Sequence, residues 1–253
     1  MVEEVVERHH ADQREELRRE FDTLRADLRA ETDRMIEFAR GVEIRDRRDL
    51  FAAEERVAVG ESAAFVRVEM PTARPFPNPT ATLEHGLSLA PADGMALEFG
   101  VYTGSTLKVI AAAREGGKVF GFDSFAGLPE HWRPGFPEGA FHAPEPPEVP
   151  GAEMVVGLFA DTLPGFLETH PGPVGFLHVD CDLYSSTRTV LDLVGPRLLP
   201  GAVIVFDEYL NYPGWAEHEH RAWREYVTRT GTEFRYEAYT LDNEQVVVRL
   251  ANP

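Results

Sequence analysis

The stretch "HVDCDLYSST", residues 178–187, decides how this chain is read. It closes an apolar run that starts at Val174 and stops on two carboxylates, Asp180 and Asp182, ahead of a hydroxyl-rich helix start. A short, continuously apolar run is the mark of a strand buried on both faces, as inside a parallel sheet. Such a strand needs no acid at its tip in order to fold. A metal site, a cofactor site or a general base does need one.

The same grammar repeats outward from that stretch. Upstream stand "MALEFGV", a helix over 106–114, "KVFGFD", a Pro/Gly-rich insertion over 127–151, "EMVVGLF" and a helix near 163–169. Downstream come a helix over 185–194, "GAVIVFDEY" and a longer helix over about 216–229. The final "FRYEAYTLDNEQVVVRL" reads as two strands joined by a polar turn at 241–244. Strands alternating with helices predict a mostly parallel sheet with crossover helices, here closed by an antiparallel hairpin. The division expected is a long helix over 1–40, a helical and Pro-rich connecting cap over 41–80, and an α/β domain over 81–253. Thr80 or Thr82 is the expected cap of a short helix that runs to about Leu89.

In the first segment Leu17, Phe21, Leu24, Leu28 and Met35 recur at spacings of 4 and 3, with Glu31 interrupting the seam. That is the pattern of a short coiled coil, so a homodimer or higher homo-oligomer is expected; the plainer reading is an amphipathic helix lying on its own domain.

Composition bounds the rest. With 253 residues, 43% of them hydrophobic, the chain can bury one sizeable core and carry an appendage. Its formal charge of −18 repels nucleic acid and anionic membranes, so neither is an expected partner. The apolar runs are too short for a membrane span, and the opening "MVEEVVERHH" is not a signal peptide. Cys181, the single cysteine, excludes an intrachain disulfide and a thiolate zinc site. A cytoplasmic location is the expectation.

Acids stand at or near four strand ends: Glu98, Asp123, Asp180 and Asp207. One is an ordinary polar stop. Four on one sheet edge repel one another and call for something bound. The loop "LEFGVYTGSTLKVI" places Gly100 and Gly104 in a G-x-x-x-G spacing, with Tyr102 where a dinucleotide fingerprint has its middle glycine. A phosphate-binding loop would also need Gly-Lys-Ser/Thr. The loop therefore suits a nucleoside without phosphates. Asp123, 25 residues after Glu98, suits the two hydroxyls of a ribose, unless it serves only as a helix cap. Ribose without phosphate on such a sheet points to S-adenosylmethionine.

The stretches "LEFGVYTGST", "FGFDSFAGLPE", "GLFADTLP", "HVDCDLYSST" and "GAVIVFDEY" resemble the class I S-adenosylmethionine-dependent methyltransferases, specifically the macrocin O-methyltransferase type, over about residues 80–250. The resemblance implies a Rossmann-like seven-stranded sheet with a C-terminal antiparallel hairpin. It implies methyl transfer to a hydroxyl of a sugar or glycoside of a natural product, with a divalent cation, Mg²⁺ or Mn²⁺. The cofactor contacts expected with it are Glu98, Gly100, Tyr102, Thr103, Gly104 and Ser105, then Asp123 and Ser124, and Asp180; Asp161 suits the adenine amino group, unless it only begins a helix with Thr162. The metal ligands it implies are Asp180, Asp207 and Glu208; the family usually has aspartate at the last position, so Glu208 departs from it. The N-terminal helix lies outside the resemblance.

Carboxylates are hard oxygen ligands suited to Mg²⁺. Asp180, Asp182 or His220 is then the expected catalytic group, with Asp182 or a histidine such as His218 or His220 as general base. His178, inside its apolar strand, reads as a satisfied core histidine rather than a ligand. Cys181 reads as a small apolar residue. Trp132, Phe136 and Phe141 in the insertion are candidates for a lid. Two other functions compete: a metal-independent small-molecule methyltransferase, and a non-catalytic nucleoside-binding subunit recruited through its helix.

Overall fold

The computed structural model describes residues 2–251. The chain divides into two compact units, 1–54 and 55–253, and the division falls inside a helix. In the first unit α1 (Val2–Arg48) continues past the expected end near residue 40 and passes through Gly41, whose position is open enough to meet no neighbour. Ion pairs one turn apart, Glu15–Arg19, Glu31–Arg34 and Glu43–Arg47, line its surface. After it, α2 (Leu50–Glu69) crosses into the second unit.

The second unit holds one sheet flanked by helices. Its strands are β1 (Arg74–Phe76), β2 (Met95–Phe99), β3 (Val119–Asp123), β4 (Glu153–Val156), β5 (Val174–Val179), β6 (Leu198–Phe206), β7 (Phe234–Thr240) and β8 (Val246–Leu250). They lie in the order β1-β7-β8-β6-β5-β2-β3-β4. Among the described strands β8 alone runs antiparallel, paired to β6 on one side and β7 on the other. This is the mostly parallel sheet with a closing hairpin, but with eight strands instead of seven. The eighth, β1, pairs in parallel with β7 at the edge. It comes from the Pro-rich connector, where a three-residue strand is too short to show a period.

Five helices complete the unit: α3 (Pro79–Leu89), α4 (Ser105–Ala113), α5 (Phe159–Thr169), α6 (Tyr184–Val194) and α7 (Glu219–Thr230). The cap of α3 is Asn78, not Thr80 or Thr82; its side chain accepts the Ala81 N–H at 2.9 Å, and Pro79 follows at the first helical position.

Alternate residues of each central strand feed two cores. Leu97, Phe99, Leu177, Val179, Ile204 and Phe206 pack with side chains of α5, α6 and α7. Ala96, Phe176, Val203 and Val205 pack with those of α3 and α4. By the period of two, Glu98 and His178 belong to this second face, and register puts them side by side. No helix among the described residues is long and apolar enough to cross a membrane.

Candidate active site

The tips of β2, β3, β5 and β6 open onto one cavity of about 480 Å³. That is the place where open α/β sheets bind ligands, and the volume suits a small molecule. Gly100, Tyr102, Thr103 and Ser105 line it from the loop between β2 and α4. Asp123 and Ser124 line it after β3, Asp180, Cys181 and Asp182 after β5, and Glu208 after β6.

Gly100 has φ 93°, and a Cβ there would stand 1.6 Å from the Asp180 carbonyl oxygen. The glycine is thus demanded by the neighbouring strand tip. Gly104, with φ 74°, opens α4 and packs toward Val149 and Pro147; it does not line the cavity. Asp123 ties the first loop down: its Oδ2 accepts the N–H groups of Val101 (2.9 Å) and Tyr102 (2.8 Å), and its Oδ1 that of Phe125 (2.8 Å). Oδ1 keeps capacity for one further donor.

The acids after β5 and β6 form the electrostatic centre. One ligand atom each from His178, Asp180 and Asp207 lie within 4.8 Å of one another. Glu208 is outside that trio; its side chain is 8% exposed, and its Oε2 has no hydrogen-bond partner. Beneath them Glu219, at the start of α7, accepts the Glu208 N–H at 3.0 Å, while its other oxygen is buried without a partner. Burial, then the charge of Asp207, pushes the Asp180 carboxyl well above the usual range. Burial, then Asp182, does the same to Glu208, and burial raises Glu219 against the Glu208 N–H bond. For Asp207 burial acts upward, but the facing imidazole of His178 and a hydrogen bond from Gln245 outweigh it, and its carboxyl lies below the usual value.

Asp182 differs from its neighbours. It is 6% exposed, adopts a left-handed backbone with φ 62°, and is pushed up to about 7 by burial, with Arg133 partly offsetting. A non-glycine residue held in that region is costly and clusters at functional sites. A carboxyl near neutrality is suited to exchanging a proton at physiological pH.

Besides Gly104, and Asp207, which is not among the lining residues, three expected site residues stand elsewhere. Glu98 is fully buried beneath the cavity wall, its Oε1 2.8 Å from His178 Nδ1. Asp161 is exposed in the first turn of α5 and is not a lining residue. His220 is packed against Phe65, Tyr209 and Trp215 at ring distances of 5.0, 5.0 and 4.8 Å, outside the lining. Burial and Arg224 lower its imidazole to about 4.

The Pro/Gly-rich segment folds over the cavity. Its base is tied by the Leu128 N–H to Ala140 (2.8 Å) and the Gly139 N–H to Leu128 (2.9 Å). Trp132, Phe136 and Phe141 all line the cavity, with Phe136 and Phe141 stacked at 5.3 Å. Sequence reasoning missed Arg133 in this segment. Its guanidinium lies 3.9 Å over Trp132 and 4.4 Å from the Tyr212 ring, and it pairs with Glu244 at 3.0 Å. It missed Glu219 as well. For both, the partner comes from a distant segment and no local motif marks it.

Known methyltransferases resemble this chain in sequence and fold. A sequence profile described as a methyltransferase domain matches residues 97–209. A 53-residue stretch is 42% identical to the 8-demethyl-8-(2,3-dimethoxy-alpha-L-rhamnosyl)-tetracenomycin-C 4'-O-methyltransferase of Streptomyces olivaceus, covering 21% of this chain and spanning 19% of the length of that relative. Among solved structures, the calicheamicin methyltransferase CalS11 is similar with a TM-score of 0.54 at 24% identity, over 67% of this chain and 76% of that one. The O-methyltransferase NovP has a TM-score of 0.50 at 22% identity, over 68% of this chain and 79% of that one. Residues 97–209 thus match a methyltransferase-domain profile, and they are set in a Rossmann-like α/β fold shared with solved methyltransferases.

Proposed function

We propose that the protein is an S-adenosylmethionine-dependent O-methyltransferase that uses a divalent cation, Mg²⁺ or Mn²⁺, and methylates a hydroxyl of a sugar or glycoside. The observation that carries this reading is the convergence of two features on one cavity: a nucleoside-type loop tied by Asp123, and a knot of acids, Asp180, Asp182 and Glu208, in which a Glu208 oxygen is buried without a partner. Charges so close and so buried are stable only with a compensating cation or with protons. Hard carboxylate oxygens fit Mg²⁺ or Mn²⁺, and Asp180 and Asp207 are the residues that would hold it, with Glu208 on the wall beside them. When bound, such a cation lowers the pKa of an acceptor hydroxyl and helps orient it.

The chain's own part is alignment and proton handling. Asp123 and the loop from Gly100 to Ser105 hold the adenosyl end. Asp182 takes the acceptor's hydroxyl proton as the oxygen attacks the methyl carbon. The carbon–sulfur bond breaks with its electron pair going to sulfur, leaving S-adenosylhomocysteine. Trp132, Phe136 and Phe141 exclude water from that transfer. The names of the Streptomyces olivaceus relative and of CalS11 support a natural-product acceptor, and the first of them a sugar.

Formation of S-adenosylhomocysteine with rhamnosyl glycosides as acceptors tests the proposal. Turnover is expected to stop in EDTA and to return with Mg²⁺ or Mn²⁺. Turnover undiminished in EDTA would favour the metal-independent reading. Binding of S-adenosylhomocysteine with no methyl transfer to any acceptor would favour the nucleoside-binding subunit.

A further inference from the structure

We infer that His178 is itself a metal ligand, so that the centre is a mixed nitrogen–carboxylate site favouring Mn²⁺ over Mg²⁺. This rests on the divalent-cation reading above, and deepens it. His178 is fully buried, and its Nδ1 lies 2.8 Å from Glu98 Oε1, so the other ring nitrogen is the one turned to the cavity acids. Its Nε2 therefore faces the acids, at the position where an ion would take the place of the proton that Asp207 and Glu98 favour there. That nitrogen is buried without a hydrogen-bond partner, 3.5 Å from Asp207 Oδ1.

The distance is that of an ion pair, and it also suits a shared ion. At 3.5 Å a well-formed N–H···O bond is not made, since those span 2.7–3.2 Å. Two atoms each about 2.1–2.2 Å from one ion stand roughly 3.0–3.6 Å apart at right-angled to tetrahedral bond angles. Gln245 Nε2 occupies the other oxygen of Asp207, Oδ2, at 3.1 Å and leaves Oδ1 turned to the histidine. A carboxylate holding the far nitrogen of an imidazole is the usual support of a metal-bound histidine, and Glu98 supplies it. Register explains the arrangement: Glu98 pairs with His178 across β2 and β5, and Asp180 stands two residues on, on the same face. Imidazole prefers transition ions to Mg²⁺, which takes oxygen ligands.

Pulsed electron paramagnetic resonance on the Mn²⁺-loaded protein tests this without reference to turnover. A directly coordinated nitrogen signal is expected, changing to the ¹⁵N pattern when the protein is labelled with ¹⁵N-histidine and vanishing in His178→Gln. Mn²⁺ is expected to displace Mg²⁺ from the wild type with at least about 10²-fold preference in competition titration, a measurement that needs no variant to fold. Glu98→Gln is expected to keep the nitrogen signal and weaken Mn²⁺ binding about 10–100-fold. Mn²⁺ bound with no histidine nitrogen signal, a signal that survives in His178→Gln, or equal affinity for the two ions would overturn the inference while leaving the metal dependence intact. No Mn²⁺ bound, with turnover indifferent to EDTA, would overturn the metal reading on which it rests.

Discussion

Along α1, Leu17, Phe21, Leu24, Leu28 and Met35 stand in water, each at least 63% exposed, whereas at the tips of β5 and β6 the carboxyls of Asp182 and Glu208 and the imidazole of His178 are shut away from it. Both regions invert the ordinary rule of burial, and the cost differs in kind. An apolar side chain left exposed forgoes about 1.5–3 kcal/mol, without directional demand. A buried, unpaired carboxylate costs several kcal/mol and can be relieved only by a proton, a cation or a donor at a defined place. The acid knot therefore specifies the chemistry of its partner. The helix seam specifies only that an apolar surface should cover it.

The sharpest way to break that contrast is to remove the charge that calls for a cation. Asp180→Asn and Asp207→Asn are each expected to lower methyl transfer about 10³-fold or more, the equivalent of several kcal/mol of transition-state stabilisation. Affinity for S-adenosylhomocysteine should stay within a few-fold in calorimetric titration, because the donor is held by the loops after β2 and β3. Activity near wild type in both variants would show the acids to be structural.

Asp123 comes next. It ties Val101, Tyr102 and Phe125 and keeps one acceptor position on Oδ1 for a ribose hydroxyl, so Asp123→Ala removes both roles. The expected loss is about 1.5–3 kcal/mol, roughly 10–150-fold in affinity for S-adenosylhomocysteine. Asp123→Asn, which retains an acceptor oxygen, should lose less; wild-type affinity in the alanine variant would reduce Asp123 to a turn residue.

A third test reads the same acids through stability. Asp180, Asp182, Glu208 and Glu219 are all raised in the folded protein, Asp182 to about 7. A raised carboxyl binds its proton more tightly folded than unfolded. For Asp182 the stabilising contribution is full below about pH 4 and is lost as pH rises through about 7; for Asp180, Glu208 and Glu219 it is lost at some point above their ordinary values. Asp207, lowered, acts in the opposite sense only below its ordinary value of 3.8, outside that window, while His220, lowered from 6.5 to about 4, opposes part of the trend below pH 6.5. In EDTA the Tm is thus expected to fall on the order of 5–10 °C between pH 5 and pH 8. Saturating Mn²⁺ should remove most of the fall, and an unchanged slope with Mn²⁺ would locate the pH dependence in the general surface charge instead.

How much of this was legible follows from range. The buried strands carry their own signal, since "VGFLHV" and "GAVIVF" are continuous apolar runs that end on acids. Their tips accordingly gave Asp180, Asp182 and Asp207 directly. Glu98 was legible as an acid near a strand end but not as the partner of His178; the cue was parity, since each stands two residues before a strand-tip residue, Gly100 and Asp180. Arg133 and Glu244, 111 residues apart, had no such cue. Glu219 sits in "AEHEH", where the histidines drew attention and the buried group is the acid between them. The eighth strand and the Asn78 cap were hidden in a proline-rich run whose short elements are decided by the sheet edge they join.

The smallest effect on chemistry, and the test of the other half of the contrast, is removal of the helix seam. We propose that residues Leu17, Phe21, Leu24 and Leu28 meet a second copy of α1 in a homodimer or higher homo-oligomer. Their spacing on one continuous helix, Val2–Arg48, is that of a coiled-coil seam, and burying four such side chains in each chain would contribute on the order of several kcal/mol. The flanking Glu–Arg pairs, exposed and one turn apart, contribute only about 0.3–0.5 kcal/mol each to helix formation, so they hold the helix without replacing the seam. Deleting residues 1–40 is therefore expected to lower the particle mass in light scattering by more than the deleted segment accounts for. Every lining residue of the cavity lies beyond that segment, so kcat and the affinity for S-adenosylhomocysteine should change by less than about twofold. A gentler variant, Leu24→Glu, puts a charge in the middle of the seam without shortening the chain and should dissociate the oligomer in the same way. If the mass per particle falls only by the missing residues and Leu24→Glu leaves it unchanged, the exposed seam is not an interface between copies, and only the acid knot would still mark a binding partner.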